Sequence, residues 1–168
     1  MNTIQLPAIG CFIVSQGGYL GAIMRGPAAD GSQDFALIVP AAAGAEIEDI
    51  AWAPEYVKIE GADSKTDGVA NTAAMAAAGL DLAKRITDLD LHGFKDWYLP
   101  ATHELRALYL NVPELLSKDG WYWSSTQYSR YYAWCQDFEY GYSYYYYVKD
   151  DELRARPVRQ IPLSHFNA

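Results

Sequence analysis

Between Tyr122 and Tyr147 the chain places ten of its fourteen tyrosines. The chemistry such a density offers is non-covalent contact, because each phenol brings a large rigid ring and a hydroxyl and gives up only two side-chain torsions on binding. Successive side chains of a strand point to opposite faces, so Tyr144, Tyr145, Tyr146 and Tyr147 cannot all point inward. Two readings stand. The rings form an exposed aromatic patch that marks an interaction site, or they divide between a core and scattered surface positions.

Groups capable of covalent chemistry are sparse. Ser124, Ser125 and Thr126 are adjacent hydroxyls, but no nucleophile-elbow glycine pattern surrounds them and no His–Asp order accompanies them. His92, His103 and His165 lie too far apart for a local metal motif and read as surface or capping residues. Asp30, Asp63 and Asp67 sit near glycines without the spacing of an acidic calcium loop, which leaves open only a structural cation held by loop carbonyls and carboxylates. Cys11 and Cys135 have no zinc-site spacing and read as free thiols; a disulfide between them would need their Cα atoms close together in the fold. No catalytic residue, metal or cofactor is expected.

A chain of 168 residues makes one domain with a core of its own. Its net charge of −8 opposes nucleic-acid binding and attraction to an anionic membrane surface. Nothing approaches the roughly 20 apolar residues of a membrane span, so no membrane insertion is expected. The opening MNTIQLPAIGCFIVSQGG lacks the charged start and long apolar run of a secretory signal. The expectation is synthesis in the cytoplasm of a bacterium without a signal peptide, with any outside target reached by assembly into a particle, lysis or signal-independent export.

The elements that position the tyrosines read as follows. CFIVSQ and YLGAIM flank Gly17 and Gly18 as a hairpin, and FALIVP (35–40) and YVKIE (56–60) are further strands. Met75, Ala78, Leu82, Ile86 and Leu89 recur at helical spacing, which predicts one amphipathic helix capped by Asn71 or Thr72 and ended before Gly93. A second helix follows Pro100, with Thr102 as its cap and Glu104 near the positive end of its dipole. Beyond Gly120 come short strands and loops. This is an α+β chain, two helices on small antiparallel sheets with a loop-rich C-terminal face. Trp97, Trp123, Trp134 and Phe138 are expected in the core, Lys149 to Glu152 in surface ion pairs, and Arg154, Arg156 and Arg159 as braces for the tyrosine-bearing loops.

GFKDWYLPATHELRALY, then YWSST, then AW-x-x-x-F-x-x-G, then LRARPVR form an ordered set of motifs. In them the chain resembles the C-type lectin-like domains related to the formylglycine-generating-enzyme fold, and especially the variable proteins of diversity-generating retroelements. The resemblance covers about Gly61 to Ile161. It divides the chain into N-terminal strands integrated with the domain (1–60) and a C-type lectin-like domain (61–168) whose variable region spans about 122–159.

In such systems a reverse transcriptase miscopies adenines, and AAY asparagine codons become tyrosine by one change, serine or aspartate by another, and cysteine by two. The resemblance thereby implies ligand contact by Tyr128, Tyr131, Tyr132, Cys135, Asp137, Tyr140, Tyr142, Tyr144, Tyr145, Tyr146, Tyr147, Asp150 and Asp151, with Ser143 reachable the same way. Arg130 and Gln127, with the two aspartates, are expected to set polar specificity at the rim. Trp123, Ser124, Ser125, Ala133, Trp134, Phe138, Gly141 and Arg154–Arg156 read as framework. The acidic and amide ligands of calcium-dependent sugar lectins are missing, and Cys135 has no partner cysteine of the kind the oxidase relatives use. What the resemblance implies is a non-enzymatic ligand-binding protein, displayed on a phage tail tip as a homo-trimer, whose partner is a protein or glycan on another cell surface. A bacterial surface or effector protein of the same fold, and an oxidase of the formylglycine-generating kind, are the alternatives.

Overall fold

Residues 12–40 alternate apolar runs with turns and form three antiparallel strands, β1 (Phe12–Ile13), β2 (Gly18–Met24) and β3 (Phe35–Pro40). The computed structural model describes residues 6–166; residues 1–5, part of the opening stretch read for a signal, and 167–168 lie outside the described residues. The expected hairpin forms, turning through a 3-10 segment at Val14–Gln16. Every residue from Ala36 to Val39 is fully buried, as suits a central strand covered on both faces. Its free edge takes a strand from the far end of the chain, β9 (Arg159–Pro162), giving the order β1-β2-β3-β9.

A second sheet carries the tyrosine segment. Its strands are β4 (Ile47–Ala51), β5 (Trp121–Gln127), β6 (Ala133–Asp137), β7 (Ser143–Tyr144) and β8 (Glu152–Ala155), in the order β4-β8-β5-β6-β7. All pairs are antiparallel except β5–β8, where Tyr122 lies opposite Arg154 in parallel. The strand expected at 56–60 is absent, and the pairing strand is β4. Residues 56–60 give their backbone groups to side chains instead of a ladder: Ile59 N–H donates to Gln127 Oε1, Gln127 Nε2 donates to Ile59 O, and Lys149 Nζ donates to Val57 O. In β4 a bulge at Asp49, with φ of 51°, turns both Ile47 and Ile50 inward and hides the period-two pattern from the sequence.

Among the described residues three helices pack on these sheets, not two. The single helix expected from residue 71 onward is split into α1 (Gly68–Ala77) and α2 (Asp81–Thr87). Gly79 adopts φ of 86°, Leu80 N–H donates to Met75 O at 3.1 Å and Gly79 N–H donates to Ala76 O at 2.9 Å. That pair of bonds is the Schellman ending, which places Leu80 in the core and restarts the helix one residue later. Met75, Leu82 and Ile86 are buried as the periodicity required, while Ala78 is exposed. The cap of α1 is Asp67, whose Oδ1 accepts from Ala70 N–H at 2.9 Å; Asn71 and Thr72 lie inside the helix, facing the sheet.

The third helix, α3 (Thr102–Asn111), is not capped by the Thr102 hydroxyl. Glu104 reaches back to the Ala101 N–H at 2.7 Å and also accepts from Tyr98 Oη at 2.8 Å, and burial pushes its carboxyl up to about 7. Trp52, Trp97 and Trp123 pack with Met75, Leu82 and Ile86 in one cluster; Leu37, Leu105, Leu108, Tyr122 and Phe138 form another between the two sheets. Trp134, expected among them, is not in the core. No helix among the described residues is long and apolar enough to cross a membrane.

Replacing Gly79 with alanine tests the helix break in isolation, because an added Cβ meets nothing closer than Lys84 Nζ at 3.9 Å. The cost is then the left-handed backbone alone, about 1–2 kcal/mol, seen as a lower urea midpoint at unchanged m-value.

Candidate functional site

The frame of the site is β5, buried from Tyr122 to Gln127. Its hydroxyls are fully engaged in holding neighbours. Ser124 Oγ donates to Trp134 O at 2.9 Å, Ser125 Oγ accepts from Asn71 Nδ2 at 3.2 Å, and Thr126 Oγ1 donates to Ser64 O at 2.8 Å while accepting from Thr102 N–H at 3.0 Å. These residues zip loop 61–67 and the start of α3 onto the strand.

Gln127 and Lys149 carry this frame to the tyrosines. Lys149 is fully buried: its Nζ donates to Val57 O at 2.8 Å and to Gln127 Oε1 at 2.9 Å and lies 4.3 Å from the centre of the Trp52 ring. Its backbone N–H donates to Tyr131 O and its carbonyl accepts from Ala53 N–H, both at 2.9 Å. Burial pushes its ammonium down to about 8. The surface ion pair expected of Lys149 is therefore replaced by an internal anchor, and Gln127, expected at the rim, belongs to that anchor.

From this frame the phenol rings point outward. Tyr128, Tyr131, Tyr140, Tyr142, Tyr144 and Tyr146 are 44–67% exposed, which makes an accessible face. Tyr128 stacks on Tyr145 with centroids 4.1 Å apart, Tyr145 meets Tyr146 at 4.4 Å and Trp134 at 5.0 Å, and Tyr144 meets Tyr146 at 4.8 Å. Tyr145 and Tyr146 share a hydroxyl–hydroxyl bond of 3.2 Å, which pushes Tyr145 up to about 12 and keeps it neutral. Trp121, Tyr142, Tyr144, Tyr146 and Tyr147 line an open groove of about 370 Å³.

The Lcl C-terminal domain matches residues 48–159, from the start of β4 to the start of β9. The chain belongs to that family. It is the domain of variable proteins of diversity-generating retroelements, and it is a binding domain. No curated protein matches the chain. The matched region holds the three helices and the second sheet except for Ile47, consistent with a C-type lectin-like fold.

Within this Lcl C-terminal domain the remaining predicted contact residues fall into three groups. Tyr132 and Tyr147 are half-buried at the base of the face, Tyr132 bridging to Val148 and Tyr147 packing 5.5 Å from Trp121. Arg130 and Asp150 lie at one rim, where Arg130 donates to Tyr56 O and covers the Tyr131 ring at 5.2 Å, and Asp150 accepts from Tyr56 Oη at 3.0 Å. Cys135, Asp137 and Asp151 brace the backbone. The Cys135 thiol is buried, donates to Tyr144 O at 3.4 Å and is pushed well up by burial, so it is neither a contact nor a thiolate nucleophile. Asp137 accepts from Glu139 N–H at 3.0 Å and Tyr140 N–H at 2.7 Å and fixes the turn before Tyr142; Asp151 accepts from Val148 N–H at 3.1 Å.

Gly141 stands in that turn with Tyr109 against it, and a Cβ there would lie 2.3 Å from the Tyr109 ring. The arginines brace a different region from the one expected. Arg154 donates to Glu46 at 2.8 Å, to Glu48 and to Asp119 O, while Arg156 donates to Pro40 O at 2.7 Å. Arg159 lies 3.7 Å over Phe94 and bonds Gln16. Because β8 and β9 neighbour β4 and β3, these side chains tie the C-terminal strands to the N-terminal half. Cys11 is exposed and Cys135 buried, both free, and no group of three or more His, Cys, Asp or Glu among the described residues is placed to hold a metal.

Sequence reasoning missed Tyr56, Trp121 and Trp134 as members of the face. Trp134 was recoverable, since alternation in β6 sets it opposite the buried Ala133 and Cys135.

The Lys149 anchor has a pH signature. Its folded value of about 8 lies below the ordinary 10.5, so between those values the unfolded chain holds a proton that the folded one lacks and stability rises with pH. Urea midpoints should climb from about pH 8 to about pH 9, below the ordinary tyrosine range near 10, and Lys149→Met should flatten the climb.

Proposed function

We propose that the tyrosine face of this chain binds a protein or glycan on another cell's surface, that a retroelement diversifies the face, and that the chain is displayed on a phage tail tip. The observation that carries this reading is the aromatic groove, whose rings stand outward on a frame held by buried hydrogen bonds. Large exposed apolar patches on a folded domain mark interaction sites, and rings held by one another lose little freedom when a partner arrives.

The arrangement also suits diversification. Substituting a side chain that contacts only neighbours on the face leaves the core packing untouched, and surface changes of that kind shift stability within about 0.5 kcal/mol. The contact positions carry Tyr, Asp and Arg, whereas the buried β5 residues hold the frame. A single groove of this size gives modest affinity, and display in several copies, as in a homo-trimer, would raise it through avidity.

Replacing Tyr142, Tyr144 and Tyr146 together with alanine should abolish binding to cells of the target strain while moving the melting temperature little; retained binding would sink the reading. For diversification, the DNA beside the gene should hold a reverse transcriptase and a near-copy of the codons for Tyr128 to Arg159 that differs mainly at adenines. Sequencing the locus decides this.

A further inference from the structure

We infer that the partner is a protein that seats an apolar side chain in the aromatic groove and an acidic side chain in a neighbouring cationic depression. The inference rests on the binding face proposed above. The depression, of about 190 Å³, is lined by Lys65, Thr102, His103, Arg106, Trp134 and Ser143.

The chemistry of the groove selects the first half of this epitope. Its walls are five aromatic side chains and supply no carboxylate, amide or cation. A sugar buried there could bond its hydroxyls to the four phenol groups, but without the carboxylate or amide partners that hold two neighbouring hydroxyls at once, and buried hydroxyls left unsatisfied are costly. An aliphatic or aromatic side chain has no such groups to strand, and its burial is favourable in proportion to its apolar area.

Charge selects the second half. In a chain of net charge −8, Lys65 and Arg106 form no ion pair among the described residues. Of the acids near them in sequence, Glu104 is turned inward to Ala101 and Tyr98, Asp67 bonds Ala70, and the exposed Asp63 pairs with neither cation. The Lys65 ammonium lies 5.4 Å from the centre of the Trp134 ring, and Arg106 Nη1 donates to Ser143 Oγ at 3.2 Å. A carboxylate entering the depression accepts from both cations.

The two sites belong to one surface. Trp134 walls the depression and meets Tyr145, which meets Tyr144 and Tyr146 of the groove. Lys65, His103 and Arg106 lie outside the segment 122–159, so the acidic requirement is set by residues separate from the tyrosine run.

The test is selection from a displayed random-peptide library on the wild-type chain, on Lys65→Gln/Arg106→Gln and on the triple Tyr142, Tyr144, Tyr146→Ala variant, each first confirmed as folded by thermal melting. Wild-type peptides should pair an apolar residue with a nearby Asp or Glu. Changing that acid to its amide should weaken binding to the wild type about tenfold, as loss of an interfacial charge pair does, with no loss on the Gln double variant. Peptides without acidic enrichment, or an equal loss on the double variant, would overturn the inference. So would recovery of no peptides by a wild-type chain that binds a glycan array, an outcome that leaves the binding face standing. Peptide binding retained by the triple tyrosine variant would instead remove the binding face itself.

Discussion

Lys149 places an ammonium where there is no carboxylate to receive it, and the fold compensates with two hydrogen-bond acceptors and the face of Trp52. Burying an unpaired charge is among the costliest events in folding unless its donors are satisfied. The acceptors come from different segments, Val57 in the loop after β4 and Gln127 at the end of β5, while the Lys149 backbone holds Tyr131 and Ala53. One residue thereby joins the loop, the central strand and both ends of the aromatic segment. Without that tie the segment from Tyr128 to Tyr147 would have the two residues of β7 and a turn as its only regular pairing beyond β6.

Frame and face are separated as a result. The frame is polar where it meets loops, with Ser124, Ser125 and Thr126 buried and bonded to backbone and to Asn71, and aromatic where it meets helices, through Trp52, Trp97 and Trp123. The face rings rest mainly on each other and on Trp121 and Trp134. Changes confined to exposed rings such as Tyr140, Tyr142 and Tyr146, which do not pack against the core as Trp121 and Tyr147 do, act nearly independently of it.

The parts legible in the sequence were those governed by local periodicity and composition. β3 and the apolar stripe of Met75, Leu82 and Ile86 follow from the geometry of strands and helices, and the exposure of Tyr144 and Tyr146 from the density of tyrosines, since only Tyr144 of Tyr144–Tyr147 lies in a strand. The errors share another origin. Gly79 lies within the run read as one helix, but Leu80 has a core site to fill and the chain breaks to fill it. Residues 56–60 looked like a strand, and their backbone partners turned out to be side chains distant in sequence.

The sequence by itself determined that this chain folds without metal-site or disulfide spacing, carries a net negative charge, and sets its tyrosines too densely for all of them to be buried. Only the tertiary structure decided which polar residues hold the frame and which reach the surface. Lys149, Gln127, Cys135 and Asp137 have the composition of a contact rim and the surroundings of a core. The reason is that a polar side chain is buried or exposed according to whether distant segments bring it hydrogen-bond partners. Those partners, Val57, Ile59 and Trp52 for the anchor, lie many residues away along the chain.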